Sequence, residues 1–260
     1  MLFKEHTIHS ALISHAEDYP HGTVVPYHSH NCAQLLHTLS GVIRVETNKG
    51  IWVIPPNRGV WIPSGIQHSL KIIGAVQVRT LFVDPLARAD LPHTCAVVGI
   101  SDLLKALIVE AVSIPENRPA GSREERIIEL ILDELRRLKN IAFHVPIPHS
   151  ETLVRLCQQI NLRISHPWTT ADAAALLNTS ERTVARQFQQ ELALTFGEWL
   201  RRSRLLRAFE HLASGDSILE TALAIGYDSP SAFSAMFKSR VGVSPRDYLQ
   251  QARVAESFAV

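Results

Sequence analysis

The sequence predicts a two-domain chain: an all-β barrel or sandwich, a helical hairpin, and an all-α C-terminal domain built on two helix-turn-helix units. Three observations carry this. Short apolar runs separated by turn signals fill residues 8–85, the pattern of an all-β domain. Residues 101–113 and 123–139 then switch to helical period. The last third of the chain repeats itself, because residues 173–200 moved forward by 49 positions fall on 222–249, and internal repetition marks a repeated structural unit.

The β runs are Gln34–Leu39, Val42–Val45, Ile51–Ile54, Val60–Ile62 and Val76–Val83. Turn signals break them at Asn48-Lys49-Gly50, Pro55-Pro56-Asn57, Pro63-Ser64-Gly65 and Gly74. In the hairpin, Leu103, Leu104, Leu107, Ile108 and Ala111 form one apolar stripe and Ile127, Ile128, Ile131, Leu135 and Leu138 a second, with a break at Pro115–Gly121. Such stripes serve equally as core packing or as a dimer seam. The domain boundaries expected are 1–95 for the barrel, 96–145 for the hairpin and 150–252 for the helical domain, with Ala142–Ser150 as linker through its Pro146 and Pro148.

Helix starts after the linker are legible. Ser180 caps a helix, Ser217 with Glu220 makes a capping box, and Ser229-Pro230 and Ser244-Pro245 each place a cap before a proline at the first helical position. In the repeat, Ala173-Ala174-Ala175 falls on Ala222-Leu223-Ala224, Val184 on Phe233, Phe188 on Phe237, and Trp199-Leu200 on Tyr248-Leu249. Each copy reads as helix, turn, capped helix, the layout of a unit that sets its second helix in a DNA major groove. A long helix over Phe196–Ser214 joins the copies and suits grooves one helical turn apart.

Composition sets bounds. The chain has 260 residues, 46% of them apolar, and a net charge of +1, enough apolar material for two cores. No stretch approaches the roughly 20 apolar residues of a membrane span. The opening Met1-Leu2-Phe3-Lys4-Glu5-His6 lacks the apolar segment of a secretory signal. Three widely spaced cysteines, Cys32, Cys95 and Cys157, argue against a disulfide framework and for a reducing, cytoplasmic setting. From residue 150 onward 12 Lys and Arg stand against 11 Asp and Glu, a net +1, so bulk charge does not announce nucleic acid. The basic residues are arginines in 11 of those 12 cases, and a guanidinium fork fits phosphates and guanine edges. Arg201, Arg202, Arg204 and Arg207 crowd two turns, which an ordinary ion-paired face also explains.

On the helix after Ser180, Val184, Phe188 and Leu192 fall on the buried side. Arg182, Ala185, Arg186 and Gln189 fall opposite, with Glu181 at the helix start. Arginine can bridge guanine O6 and N7, and glutamine can address adenine. The equivalent face of the second copy is Pro230, Ser231, Ser234, Ala235 and Lys238, less equipped for base-specific bonds and suited to backbone and shape contacts. Its alternative role, and that of its counterpart, is the polar outer face of a plain three-helix domain.

The run Arg204-Leu205-Leu206-Arg207-Ala208, then Ala222 to Ser229, Phe233 to Lys238, Val241-Gly242-Val243-Ser244-Pro245 and Tyr248 closely resembles the signature of AraC/XylS-type transcription regulators. The resemblance covers about 100 residues. It implies two helix-turn-helix units on a linking helix, contact with adjacent major grooves of double-stranded DNA, homodimerisation and contact with RNA polymerase. One departure is Ala193, where the family's first unit carries a turn glycine; alanine there must take the glycine backbone at modest strain.

In the β domain, Gly22, His28, His30, Gln34 and Gly41 are followed by Pro63, Gly65 and His68. Alternation along a strand puts His28 and His30 on one face. The spacing resembles the two cupin motifs, which implies an RmlC-type barrel and a divalent metal (zinc, iron, manganese or nickel) on His28, His30, Gln34 and His68. Gln34 stands where the motif has glutamate, Gly59 is too close to Pro63 to be the second motif's first glycine, and Ile72 replaces its asparagine. The loss of a carboxylate weakens a metal site, although three neutral imidazoles still suit a borderline ion. The alternatives are a metal-free pocket in which His28, His30, Gln34, Trp52, Trp61 and His68 hold a small effector, or structural histidines. Trp52 and Trp61, with Arg58 and Arg79 near in sequence, suit an aromatic or carboxylated effector, or are simply core. His6, His9, His15, His37, His93, His144, His149, His166 and His211 lack ligand spacing and are expected to be surface or incidental residues.

The function expected is an effector- or metal-controlled transcription regulator that needs no cofactor for DNA binding. The segment Trp61 to His68 is similar to that of a bacterial subgroup of cupin-type regulators controlling nearby transport, efflux or metabolic genes. The rival is a cupin metalloenzyme, an oxygenase or isomerase with a helical appendage; the missing carboxylate at position 34 and the duplicated module weigh against it.

Overall fold

A computed structural model describes residues 10–87, 90–141 and 144–250. The N-terminal hexapeptide, His6, His9, the first two residues of the expected linker and the chain beyond 250 lie outside the described residues. The chain divides into two compact units, one made of the strand-rich part and both hairpin helices, the other of the short stretch Lys49–Ile51 and the chain from His144.

The strands of the first unit are β1 (Leu12–Tyr19), β2 (Val24–His28), β3 (Ala33–Thr47), β4 (Gly50–Ile54), β5 (Arg58–Ile62), β6 (His68–Val83), β7 (Ala96–Gly99) and β8 (Asn140–Ile141). They pair in the order β1-β6-β3-β5-β7-β8, with β2 on β6 and β4 on β3. Two expectations are corrected here. Gly74 does not end a strand: it sits inside the 16-residue β6, with φ +76°. Likewise Gln34–Leu39 and Val42–Val45 are one strand, β3, whose pairing with β6 shifts register on either side of Ser40. Gly41 has φ +65°, and a Cβ there would lie 2.5 Å from the Ala75 carbonyl oxygen. Only glycine fits a bulge this tight. The sheet also continues past residue 95: β7 pairs with β5 from Arg58↔Gly99 to Trp61↔Ala96.

Both hairpin helices lie on this sheet. α1 (Asp102–Ala111) and α2 (Arg123–Leu135) start at Ser101 and Ser122, whose hydroxyls accept from the backbone N–H three residues on. Leu104, Leu107, Ile108 and Ala111 of α1 and Ile128, Ile131, Leu132 and Leu135 of α2 form one core with Ala33, Leu35, Trp61, Leu81, Val83 and Val98 of the sheet. The stripes are therefore core packing within this unit. Leu103, expected in the stripe, is 49% exposed and lies with Val109, Val112 and Leu130 on the exposed side of the hairpin.

After β9 (His144–Pro146), inside the expected linker, the second unit is helical: α3 (Glu151–Leu162), α4 (Thr170–Leu176), α5 (Glu181–Leu192), α6 (Phe196–Ala213), α7 (Ile218–Ala224) and α8 (Pro230–Val241). Ser180 caps α5, Ser229 caps α8 ahead of Pro230, and Ser217 and Glu220 complete the capping box of α7. The repeat is repeated in packing. Phe188 meets Trp199 at 5.7 Å between ring centroids, and 49 positions on Phe237 meets Tyr248 at 5.5 Å, the edge-to-face distances aromatic pairs prefer. No helix among the described residues is long and apolar enough to cross a membrane.

Candidate DNA-reading and effector sites

Helical periodicity decides what α5 shows. Val184, Phe188 and Leu192 are buried, while Glu181, Arg182, Ala185, Arg186 and Gln189 are exposed. On α8, Phe233 and Phe237 are buried, Ser231, Ala235 and Lys238 are exposed, and Pro230 and Ser234 are half-buried.

The arginines divide into two sets. Those of α6 are engaged internally: Arg201 and Arg202 pair with Glu198 and Arg207 with Glu210. Arg204 donates to the backbone oxygens of Ile164 and His166, at 3.3 and 2.9 Å. These guanidinium groups are therefore already engaged within the helical unit. Arg182 and Arg186 make no ion pair or hydrogen bond among the described residues, so their forks are open to solvent.

In the first unit three imidazoles converge. Ring centroids are 4.8 Å apart for His28 and His30, 4.3 Å for His28 and His68, and 5.5 Å for His30 and His68. One ring nitrogen of each lies within 4.8 Å of the others. Local sequence builds this. His28 is the register partner of His68 across β2 and β6. The Pro63-Ser64-Gly65 turn clamps the segment after β2, as the Gly65 N–H donates to the His30 carbonyl at 2.8 Å and the Ser64 hydroxyl to that of Asn31 at 2.8 Å.

Tautomers follow from the partners. Nδ1 of His28 lies 2.8 Å from the Pro26 carbonyl oxygen and Nδ1 of His68 lies 2.9 Å from that of Ile66. A carbonyl only accepts, so both Nδ1 atoms carry the proton and both Nε2 atoms present a lone pair. His30 and His68 are buried and His28 is half-buried. Burial lowers the His68 pKa to about 4, keeping it a neutral donor. His30 meets Phe82 edge-on at 5.2 Å. Gln34 is 2% exposed with an Oε1 that has no hydrogen-bond partner. It is opposite Phe82 in the β3–β6 register and opposite Ile62 on β5, so the three side chains share a face.

The aromatic walls differ from expectation. Trp61 is opposite Leu35, on the sheet face covered by the hairpin, and its indole N–H donates to the Pro92 carbonyl at 2.7 Å. It belongs to the core there, since alternation along β5 sends it away from Ile62 and Gln34. Trp52 is buried at 5% exposure. Arg79 is opposite His37, on Trp61's side, and pairs with Asp18 at 3.5 Å. His37, expected among the surface or incidental histidines, is fully buried, and its Nδ1 donates to the Arg58 carbonyl at 3.0 Å. Sequence spacing missed it because burial follows from the hairpin covering that face; its place one residue after Leu36, in phase with Leu35, was the available signal.

Comparison with known proteins agrees with both halves. Residues 11–135 match the model of an AraC-like ligand binding domain, and residues 173–251 match that of a helix-turn-helix domain. The HTH-type transcriptional regulator NimR of Escherichia coli (strain K12) is 31% identical over 225 residues, covering 86% of this chain and 82% of that protein. Among solved structures, ToxT from Vibrio cholerae is 15% identical, covers 93% of this chain and 99% of its own, and has a TM-score of 0.39. The DNA-binding domain of AdpA, a global transcriptional factor in complex with a target DNA, is 27% identical over 40% of this chain and 96% of its own, with a TM-score of 0.39. These relatives are transcriptional regulators and not enzymes, which corrects the metalloenzyme alternative. The chain belongs to the AraC family of DNA-binding transcriptional regulators, with an AraC-like ligand-binding domain ahead of its helix-turn-helix domain.

Proposed function

We propose that this regulator takes its input at His28, His30 and His68, loaded with a divalent ion, and delivers its output through α5 and α8 on double-stranded DNA. One observation carries the input: three imidazoles converge within 4.8 Å, two of them with Nδ1 held by a backbone carbonyl. Outer-sphere carbonyls of this kind fix tautomer and ring direction in metal sites. The donors fit zinc, iron, manganese or nickel, and Gln34 adds a neutral oxygen in place of a carboxylate. Bound there, the ion would supply a Lewis-acidic centre for an effector. It controls the regulator only insofar as it favours one arrangement of the protein over another.

On DNA, Arg182, Arg186 and Gln189 specify bases, while Ser231, Ser234, Ala235 and Lys238 supply backbone and shape contacts, with Glu181, Ala185 and Pro230 at the edges of these faces. The exposed Leu103, Val109, Val112 and Leu130 of the hairpin support a homodimer, and the target is a nearby transport, efflux or metabolic gene read in the cytoplasm together with RNA polymerase.

The test is retention of the DNA upstream of the protein's own gene and of its divergent neighbour, at physiological salt with competitor DNA. It is run before and after zinc loading and with His28, His30 and His68 all changed to alanine. A zinc-dependent change in selective binding that the triple variant loses supports the reading. An unchanged response in the variant removes the histidines as the input.

A further inference from the structure

We propose that the ligand completing this site is a small anion of the carboxylate class, bound at a coordination position the ion leaves open. The inference rests on the metal reading above. It follows from charge. Among the described residues the cluster of metal-ligating side chains is made of histidines alone, and a histidine binds a metal as a neutral imidazole. Gln34, on the same face as Phe82, is also neutral and 2% exposed. A divalent ion held by these donors keeps its whole +2 charge beside Phe82 and Ile62. Net charge buried against apolar walls is strongly unfavourable until a counter-charge joins it. Among the described residues no carboxylate joins the histidine cluster, so the counter-charge falls to the ligand.

Gln34 makes this selective. A glutamate at 34 would neutralise the ion and repel an incoming anion. The amide does neither: its N–H groups can donate to a bound carboxylate, and its buried Oε1 has no partner among the described residues. Neutral oxygen ligands, such as alcohols or amides, leave the charge uncompensated and should be excluded by the same balance. The way in is at His28, the half-buried member of the three, on β2, where Val24 is 63% and Tyr27 58% exposed.

The experiment uses the full-length protein loaded with cobalt(II), whose absorption reports its ligands. Ions per chain are counted after gel filtration, and the loaded protein is then titrated with acetate, azide and neutral acetamide. The wild type should hold one ion per chain and respond to acetate and azide at least about tenfold more readily than to acetamide. Gln34→Glu should hold cobalt about tenfold more tightly and lose the anion response. Gln34→Met, uncharged and close in volume, should keep the ion but weaken acetate about tenfold, and it serves if the glutamate variant fails to fold. If the wild type retains no ion, the metal reading fails and the inference with it. If the ion is retained but acetamide matches acetate, or Gln34→Glu responds like the wild type, the metal reading stands and the anion inference is overturned.

Discussion

Arg240, in the last turn of α8, places its two terminal nitrogens on the two oxygens of Glu198, at 3.1 and 2.8 Å. Glu198 belongs to the first turn of α6, and its carboxylate also accepts from Arg201 and Arg202. Burial pushes this carboxyl pKa up, but the hydrogen bonds from Arg202 and Arg240 outweigh it and hold it below its ordinary value. The fork-on-carboxylate geometry fixes direction as well as distance, so it ties the second reading helix to the start of the helix that follows the first. Partly exposed pairs contribute only about 0.2–1 kcal/mol each to stability, so the consequence should appear in geometry. Glu198→Gln is expected to leave the melting temperature nearly unchanged and to widen the range of half-site spacings bound. Arg240→Gln, which removes the other half of the contact, should widen it in the same way. Equal spacing preference in Glu198→Gln and wild type would remove this role.

Arg186 contrasts with the arginines of α6 because it has no internal partner among the described residues and lies on the exposed face of α5. If α5 reads DNA as proposed, a fork open to solvent on its exposed face is available for guanine. Arg186→Ala should cost about 1–3 kcal/mol of operator binding and relax selection at one base pair. Arg207→Ala, which loses only the Glu210 partner, should leave selectivity intact. Footprints on operators substituted base by base would distinguish the two.

What the sequence disclosed and what it hid divide along distance in the chain. Caps at Ser180, Ser217 and Ser229 depend on residues three positions away, and so does the split between Phe188 and Arg186. These were legible, as was the packing repeat of Phe188–Trp199 in Phe237–Tyr248. The histidine cluster was legible in part, since a period of two puts His28 and His30 together, but its closure by His68 depends on β2–β6 register. The errors are all non-local. Gly74 looked like a break because a bulge needs its partner strand to be recognised, and Trp61 stayed open between pocket wall and core because nothing near it says which sheet face the hairpin covers. The Glu198–Arg240 contact spans 42 residues and left no trace in spacing.

Ala193 ends α5 in the left-handed region, at φ 54° and ψ 27°, where Gly242 ends α8 at φ 90°. The first unit thus carries at an alanine the backbone strain that the second avoids with glycine, and a Cβ in that region costs about 1–2 kcal/mol. Part of the gain from removing it is lost to glycine's greater freedom when unfolded. Ala193→Gly should therefore stabilise the protein by about 0.5–1 kcal/mol. Gly242→Ala, with nothing within 4 Å of the added Cβ, should cost about 1 kcal/mol from backbone strain alone. Denaturant unfolding of the three proteins checks both signs. A destabilised Ala193→Gly would mean that the methyl contributes more by packing than its backbone costs.

His37 should make stability fall in mild acid. It is buried on the sheet face beneath the hairpin, its Nδ1–H is given to the Arg58 carbonyl, and its Nε2 has no partner. Burial, only partly offset by that hydrogen bond and reinforced by the charges of Lys105 and Arg79, lowers its pKa from 6.5 to about 4. The folded protein thus keeps this ring neutral at pH values where the unfolded chain protonates it. Stability tied to His37 is fully present above pH 6.5 and is lost as pH falls toward 4, because the unfolded state then binds the extra proton. Between pH 7.5 and 5.0 the loss should be about 1–3 kcal/mol. His37→Gln keeps an N–H for Arg58 and does not titrate, so it should recover that amount at pH 5.0 whatever it costs at pH 7.5. Urea unfolding of both proteins at the two pH values isolates the difference. The same pH dependence in both would place the acid sensitivity elsewhere, since only the imidazole's titration distinguishes them.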